Sequence, residues 1–432
     1  MNKIKFRTIA RSLHTGRIIK TGVIILFILS ILAISSAYGS GLSSARAVGM
    51  GGAHMGLAKG INAPLYNPAN LGLNGYRKTE IGLVSAGAQI SNNSFTLNDY
   101  NEYTGALLTE NDKTTILNKI PVEGLKITAD VETSAMTIAM GKFVFSFTGY
   151  AATDVNLGRD ALRLFLNGVG FDDEFSLDGM YSEAIAYASA GLSYGFPVYT
   201  SGTRQLSVGT TVKYIRGFGY EEVTEITGGV MTHSYGYEGE GTMKLNTSTG
   251  GTGYGVDIGA ALKLSNSYTI GASITNIVSK LNWDKETKEY GYYFQFDTLS
   301  IDNMDNDSLV ESEDYDRDIE AFSSTLPSVL RLGLANTTGK LLWAVDWVQG
   351  FRLGAGVTTK PRFSFGAEYK LISLLPFRGG FATGGGKGQV ISGGTGLNLG
   401  LFYLDLAVSN HSGFNFYESK GLHFAVSTGL NF

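Results

Sequence analysis

A two-residue repeat runs through Gly253-Tyr254-Gly255-Val256-Asp257-Ile258-Gly259-Ala260-Ala261-Leu262-Lys263. Large apolar residues alternate there with small or charged ones. Because successive side chains of a β-strand point to opposite faces, this segment has one apolar face and one small or charged face. The same alternation recurs in residues 206–214, 362–370 and 422–432. The chain is therefore predicted to be all-β.

A soluble β-sandwich and a membrane β-barrel both alternate in this way, but with opposite orientation. The apolar face of a sandwich points into the core, whereas that of a membrane barrel meets lipid and encloses a polar lumen. The connectors separate the two cases, because short turns and long loops alternate along a membrane barrel. Short connectors at 141, 265–266, 336–339 and 400 alternate with long ones at 91–125, 155–181, 217–251 and 279–325. We therefore expect a transmembrane antiparallel β-barrel in residues 78–432.

About fourteen strands are predicted, an even number that places both chain ends in the periplasm. The alternative is about sixteen, in which Glu222–His233 and Met243–Thr249 add a hairpin to the wall rather than standing above the membrane. The fourteen predicted strands are 79–90, 126–140, 142–154, 182–194, 204–216, 252–264, 267–277, 326–335, 340–348, 362–371, 377–383, 389–399, 402–410 and 421–432.

The first 39 residues have the order of a secretory signal. Six basic residues lead to an apolar run from Val23 to Ile34, and small residues follow it at Ala37 and Gly39. About 12 apolar residues fall short of the roughly 20 that a membrane helix needs. Removal of the signal leaves 28 of the 34 basic residues against 38 acidic ones. A surface of that charge argues against nucleic acid as a partner.

The overall composition suits strands and excludes cysteine chemistry. The chain contains 58 Gly, 23 Tyr and 24 Phe, but 7 Pro and no Cys. Aromatic residues favour strands, and the lack of cysteine excludes a disulfide framework, a thiol nucleophile and a cysteine metal site.

Aromatic residues also mark the expected contact with lipid. Trp343 and Trp347 flank Val345 on one face of a predicted strand, as rings at lipid headgroups do. The chain ends at Phe432, which resembles the terminal aromatic signal by which outer-membrane barrels are recognised for insertion. Phe432 is thus a candidate membrane-insertion signal, with the barrel-assembly machinery as its expected partner.

Residues 40–77, between the signal and the first strand, are rich in Gly and Ala and lack strand alternation. Ala45-Arg46-Ala47-Val48-Gly49-Met50-Gly51-Gly52-Ala53 and Leu65-Tyr66-Asn67-Pro68-Ala69-Asn70-Leu71 resemble the amino-terminal hatch of FadL-like outer-membrane transport barrels. Leu326–Gly333 and Pro376–Phe381 extend the resemblance over nearly the whole mature chain. Residues 112–124, within the first long loop, resemble an uncharacterised branch of that group rather than the fatty-acid transporters themselves.

The resemblance implies a barrel of about fourteen strands, plugged by a hatch at residues 40–77. The group includes fatty-acid and aromatic-hydrocarbon transporters, as well as the barrel proteins of the Por secretion system. The hatch residues singled out are Gly49, Gly51, Gly52, His54, Asn67 and Pro68.

Charged residues on the small face of the predicted strands are candidates for the lumen lining. They can pair across adjacent strands and rigidify the wall, or they can coordinate a substrate. They are Lys213, Asp257, Lys263, Arg331, Asp346, Glu368 and Asp405.

Other chemistry was sought in three places. Gly49–Gly56 and Gly384–Gly388 lack the spacing of phosphate-binding loops, and close packing or a surface turn explains their glycines. Residues 297–320 carry nine acidic side chains from Asp302 onward, which indicate a solvated external loop or, alternatively, a weak calcium site. The histidines lack metal-ligand spacing, so we expect no catalytic residues, no resident metal and no cofactor.

Two functions fit these patterns. The first is passive transport of hydrophobic or amphiphilic small molecules across the outer membrane, in which the hatch closes the lumen and shifts to admit a ligand. The alternative is a surface scaffold or secretion-system barrel whose long acidic loops bind a protein partner. In both, the chain is an exported outer-membrane protein in contact with lipid.

Overall fold

The computed structural model describes residues 41–74, 79–168, 170, 173–299, 309–413 and 415–432. The predicted signal at residues 1–39 lies outside the described residues. Nineteen strands occur in the described part of the chain, and all join one antiparallel sheet. They are β1 (Thr79–Asn92), β2 (Leu125–Met140), β3 (Phe143–Leu157), β4 (Glu174–Ser176), β5 (Tyr181–Ser201), β6 (Arg204–His233), β7 (Gly236–Ser248), β8 (Gly250–Lys263), β9 (Tyr268–Lys285), β10 (Lys288–Leu299), β11 (Val310–Asp318), β12 (Phe322–Ser324), β13 (Val329–Asn336), β14 (Leu341–Gly350), β15 (Arg362–Ile372), β16 (Leu375–Gly384), β17 (Gln389–Asn398), β18 (Phe402–His411) and β19 (Gly421–Asn431).

Fourteen of the described strands form a closed ring, which confirms the predicted barrel. The last strand pairs with the first, from Glu80 opposite Asn431 to Ser91 opposite Gly421. Within the ring, each strand is hydrogen-bonded to the next along the wall. The wall strands are, in ring order, β1, β2, β3, β5, β6, β8, β9, β13, β14, β15, β16, β17, β18 and β19.

The remaining strands lie at the end of the barrel where the long connectors are. β6 runs for 30 residues, and its second half pairs with β7 rather than with the wall strand β8. β7 pairs in turn with β10, and β10 with β11. The hairpin of residues 222–233 and 243–249 therefore stands above the ring, and the alternative count of sixteen does not apply to the described residues.

The two faces of the wall have the orientation expected of a membrane barrel. Tyr254 and Val212 are 50% and 54% exposed on the outside. Their strand neighbours Asp257 and Thr211 are each 2% exposed and face the lumen. Apolar side chains thus meet lipid, and small and polar side chains face the lumen. The lumen-facing side chains are buried because the hatch and the loops fill the interior of the ring.

Short helices lie inside and above the ring. The described part of the hatch, residues 41–74, contains α1 (Ala45–Gly49), α2 (Ala63–Tyr66) and the 3₁₀ turns Gly60–Asn62 and Pro68–Gly72. The external loops hold α3 (Leu97–Tyr103), α4 (Glu110–Lys119), α5 (Arg159–Asn167) and the 3₁₀ turn Phe416–Glu418.

Among the described residues, no helix is long and apolar enough to span a bilayer.

Candidate functional site

The hatch is seated against glycines of the barrel wall. A Cβ on Gly380 of β16 would lie 2.1 Å from the backbone nitrogen of Gly51, closer than real Cβ contacts allow. A Cβ on Gly366 of β15 would lie 2.3 Å from the carbonyl oxygen of Met50. The hatch backbone therefore rests directly on the wall backbone. Gly87, Gly195, Gly209, Gly366 and Gly380 lie against hatch backbone, whereas Gly259 and Gly333 lie against the side chains of Asn67 and Met55.

Gly49, the last residue of α1, and Gly51 and Gly52 of the turn that follows are the three predicted hatch glycines. Gly51 and Gly52 have φ angles of +67° and +87°, a region that side chains disfavour. A Cβ on Gly49 would lie 3.2 Å from Cα of Gly394 in β17. The turn thus needs glycine both for its backbone angles and for its contact with the wall.

Asp346 holds the next hatch segment to the wall. Its carboxylate, on β14, accepts hydrogen bonds from the backbone N–H groups of His54 (2.7 Å) and Met55 (2.8 Å). His54 is 1% exposed, and its ring packs edge-on against Tyr66 at 5.2 Å. The predicted lumen residue Asp346 and the predicted hatch residue His54 are therefore brought together by backbone hydrogen bonding.

Asn67 and Pro68 fix the last turn of the hatch. The Asn67 side chain accepts from the N–H of Ala69 at 3.0 Å and donates to the carbonyl of Ala260 in β8 at 2.9 Å. Pro68 begins the following 3₁₀ turn, whose backbone lies against Gly209. Asn67 therefore caps the turn and ties it to the wall at once.

A buried ion network ties α1 to three wall strands. Arg46 donates to Glu368 at 2.7 Å, and Arg378 donates to Glu368 at 2.8 Å and to Asp405 at 2.6 Å. The side chains of Glu368 and Arg378 are 2% and 3% exposed. Glu368 and Asp405 were predicted from the sequence, but the two arginines were not. Both arginines could have been found from the sequence, because Arg46 lies in the predicted hatch and Arg378 in a predicted strand. A charge enclosed in either place needs a buried partner of opposite charge.

The other predicted lumen charges have separate surroundings. Lys213 of β6 pairs with Asp257 of β8 at 2.8 Å and donates to Asn276 at 2.6 Å. Arg331 lies over the Tyr66 ring at 5.2 Å and donates to the Leu65 carbonyl at 3.3 Å. Lys263 is half-buried at the periplasmic end of β8 and makes no ion pair within 4.0 Å to another described residue. The charged residues thus hold the wall and the hatch in place.

An apolar group of side chains fills the external half of the lumen, a feature that sequence reasoning missed. We call it the aromatic cluster. Its signal is visible in β5, where Ile185 and Tyr187 occupy lumen positions while the lipid-facing neighbours are alanines. The Tyr220 ring stacks on Trp283 at 5.1 Å, and Trp283 is fully buried. The main members of the cluster are Tyr150, Ile185, Tyr187, Ile215, Tyr220, Leu281 and Trp283.

Open space in the described lumen is small beside the hatch and larger at the periplasmic mouth. A cavity of about 50 Å³ lies between the hatch and the barrel wall, beside Tyr66, Arg331 and His423. A larger basin of about 710 Å³ opens at the periplasmic mouth, beside Arg46, Lys59 and Lys370. The lumen is therefore closed at the level of the hatch, since the space above the hatch holds only a few waters.

The acidic segment 297–320 is described in part. Residues 300–308, which carry Asp302, Asp305 and Asp307, lie outside the described residues. Within the described chain, no three acidic or histidine side chains are placed to hold a metal ion. β11 is an exposed strand whose charges pair with β10, as in Lys288 with Asp316 at 2.7 Å.

The profile of one protein family, described as F plasmid transfer operon, TraF, protein, matches residues 64–316. The chain belongs to this TraF family. Among curated proteins, none matches this TraF family chain.

Solved structures match the TraF family chain over nearly its whole length. The toluene transporter TbuX of Ralstonia pickettii matches with a TM-score of 0.52 and 15% identity, over 92% of this chain and 99% of that chain. The TodX deltaS2S3 mutant monoaromatic hydrocarbon channel matches with a TM-score of 0.54 and 13% identity, over the same shares. The TodX deltaS2 mutant matches with a TM-score of 0.51 and 14% identity, over 90% and 99%.

These likenesses confirm the expected FadL-like barrel at the level of the fold. The TraF family chain has the architecture of outer-membrane transport barrels, and its apolar outer face has the orientation that this location requires. The matched structures are transporters and channels rather than enzymes.

The stability of the TraF family chain is expected to fall as the pH drops below about 6.5, the ordinary pKa of histidine. Burial, aided by Arg46, lowers the pKa of His54 in the hatch well below that value. The folded state keeps His54 neutral while the unfolded state takes up a proton, so acid favours unfolding. We expect the slope of unfolding free energy against pH between 6.5 and 5 to be smaller in His54→Phe, by up to about 1.4 kcal/mol per pH unit.

Urea titrations of refolded protein at several pH values measure this slope. His54→Phe keeps a ring against Tyr66, so the comparison isolates the titration. Equal slopes in the two proteins would show that His54 does not titrate on unfolding.

Proposed function

We propose that the barrel passes hydrophobic or amphiphilic small molecules across the outer membrane. The observation that carries this proposal is the aromatic cluster, which sets an apolar lining in the lumen between the external loops and the hatch. A lumen that conducts only ions or water is lined by polar side chains, whereas tyrosine, tryptophan and isoleucine are buried in this part of the lumen. The toluene transporter and hydrocarbon channels that share the fold support it.

The proposal includes how the chain reaches its membrane. Residues 1–39 direct export and are cleaved, and Phe432 directs insertion by the barrel-assembly machinery. Phe432 is 60% exposed on the outside of the barrel, and its N–H continues the seam by donating to the Thr79 carbonyl at 3.1 Å.

Trp283 offers a direct test, because two of the three tryptophans face lipid. In a Trp343→Phe, Trp347→Phe background, the remaining emission comes from the aromatic cluster. We expect toluene, alkanes or fatty acids to shift or quench this emission with saturation. Uptake of the same compounds into vesicles containing the protein should exceed uptake into empty vesicles. Absence of both effects over the whole panel would contradict the proposal.

A substitution at Gly217 is expected to disturb this site specifically. A Cβ there would lie 2.3 Å from the Trp283 ring, so Gly217→Ala must displace the ring. We expect altered Trp283 emission and at least a severalfold loss of ligand affinity, because the packed rings would move apart. Titration of each variant with toluene measures the affinity.

Gly219→Ala is the matched control for this experiment. It places the same methyl group two residues along β6, where no atom lies within 4 Å. If Gly217→Ala and Gly219→Ala bind equally, the aromatic cluster is not the binding region.

A second function is favoured by the sheet above the barrel. β6, β7, β10 and β11 present exposed aromatic rings such as Tyr290 and Tyr292, beside the acidic strand β11. Such a surface suits a scaffold that binds a protein partner. Crosslinking from Tyr290→Cys in intact cells tests this idea, since one stoichiometric partner favours the scaffold and none favours transport.

A further inference from the structure

The connector between β14 and β15, residues 351–361, turns inward. We call it the inner loop, and residues 354–357 form its tip. The tip is buried, with Ala355 5% and Val357 6% exposed, whereas Phe351 and Leu353 at its base are 59% and 50% exposed. The tip is a tight turn in which the N–H of Val357 donates to the Gly354 carbonyl at 2.9 Å.

The inner loop crosses the lumen. β14 and β15 are the ninth and tenth strands of the fourteen-strand ring, and β2 and β3 are the second and third. Strands separated by seven positions in a ring of fourteen lie on opposite sides. The tip contacts Asp130 of β2 and Tyr150 and Asp154 of β3, so the loop spans the full width of the barrel.

The tip is held by two hydrogen bonds to one peptide unit. The Tyr150 hydroxyl donates to the Ala355 carbonyl at 2.9 Å, and the Gly356 N–H donates to the Asp154 carboxylate at 3.1 Å. Asp130 lies alongside and accepts from the same tyrosine hydroxyl at 3.1 Å. Asp130 is fully buried, and its second carboxylate oxygen accepts no hydrogen bond from the described residues.

The apolar part of the tip belongs to the aromatic cluster. Ala355 is a member of the same group as Tyr150, Tyr187 and Ile215. Ala355 has a φ of +43°, an angle that is strained for a non-glycine residue and persists only where the surroundings impose it. The site therefore binds a strained peptide segment through one donor, one acceptor and an apolar wall.

We propose that the tip of the inner loop occupies the ligand site of the barrel, and that the ligand is a small apolar molecule bearing an amide, such as a short apolar peptide, which binds by displacing the tip. This rests on the proposed transport function and names its substrate class. A displaced tip leaves the Tyr150 hydroxyl to donate to the ligand carbonyl and Asp154 to accept from its N–H. Release of the backbone strain favours the displaced state.

A disulfide between the tip and the opposite wall tests the displacement. A Cβ on Gly356 would lie 3.2 Å from Cγ of Asp130, which places the sulfur of Asp130→Cys within reach of a Gly356→Cys sulfur. The same Cβ would lie 2.5 Å from the Tyr150 hydroxyl, so the oxidised and reduced forms of this one double variant are compared. The chain has no cysteine of its own, so this bond would be the only one. We expect the oxidised protein in vesicles to pass N-acetyl-alanyl-glycyl-valine amide at least tenfold more slowly than the same protein after reduction.

The single-cysteine variants are the controls, because neither can form the bond. Equal passage in the oxidised and reduced states, each above empty vesicles, would overturn the inference while leaving the transport function standing. Passage no faster than empty vesicles for both this peptide and toluene in the wild-type protein would instead contradict transport itself.

The amide requirement is tested by removing the N–H donor of the ligand. Replacement of the glycine of the probe peptide by sarcosine methylates the N–H that Asp154 would accept. We expect about tenfold weaker binding to the protein with Trp283 as its only tryptophan, the loss typical of a charge-assisted hydrogen bond. Tyr150→Phe should weaken binding of the parent peptide, and Tyr254→Phe, on the lipid-facing side of the wall, should not. Equal binding of both peptides would exclude the amide as the recognised group.

Discussion

Glu368→Ala is expected to lower the free energy of unfolding by about 3 to 5 kcal/mol. The substitution removes the carboxylate that joins Arg46 to Arg378. Arg378 is 3% exposed, so it keeps its charge in a buried place, with Asp405 as its remaining carboxylate partner among the described residues. Breaking a buried pair from one side costs more than the pair contributes, because the remaining charge stays desolvated. Urea unfolding of the barrel, followed by fluorescence, measures the loss.

The control for Glu368→Ala is the same change at an ion pair whose arginine stays in solvent. Glu289 lies 2.6 Å from Arg317 in the sheet above the barrel, and the side chains of Arg317 and Glu289 are 63% and 14% exposed. We expect Glu289→Ala to cost less than about 1 kcal/mol. Because Arg46 belongs to the hatch, Glu368→Ala should also make the hatch more accessible to protease. A cost as small as that of Glu289→Ala would mean that the network does not anchor the hatch.

Gly380→Ala is expected to force the hatch away from the wall. The new methyl group would meet the backbone of Met50 and Gly51 at about 2 Å, and backbone atoms cannot rotate aside as a side chain can. Overpacking of this kind costs about 1 to 3 kcal/mol where the site cannot relax. We expect a severalfold rise in the leak of small hydrophilic solutes, measured as conductance across a planar bilayer or as sensitivity of cells to excluded antibiotics.

Gly379→Ala provides an unusually close comparison with Gly380→Ala. Gly379 is the preceding residue of β16, it faces the other side of the wall, and a Cβ there meets no atom within 4 Å. Both variants add one methyl group to the same strand and lose the same backbone freedom. If they leak alike, the contact between Gly380 and the hatch does not control the lumen.

The barrel could be predicted from the sequence because its strands and tight turns are each recognisable within a short segment. A strand in lipid repeats every two residues, and the tight turns at Gly141 and Gly400 end strands within one or two residues of where the structure ends them. The strand that begins at Arg204 was predicted to end at Arg216, yet β6 continues to His233. Alternation is interrupted beyond Gly217, where the pairing with β8 ends and a register shift follows between Val223 and Glu225. The sequence thus marked the end of the wall segment but not the continuation of the strand above it.

The candidate site was only partly predictable, because residues that contact each other in it are far apart in the sequence. Asp346, Glu368 and Asp405 were identified because a charge on a lumen face stands out within its own strand. Their partners are set by which residues lie across the ring, as with Arg46, which is 322 positions from Glu368. The inner loop shows the same limit, since no local pattern says that residues 354–357 reach the opposite wall.

The hatch and the inner loop cross one lumen at two heights, and the cavity of about 50 Å³ beside the hatch holds only a few waters. The two segments lie one behind the other along the lumen. Displacement of the inner loop alone therefore leaves the hatch in place against the wall. It changes the space above the hatch while the lumen stays closed to small solutes.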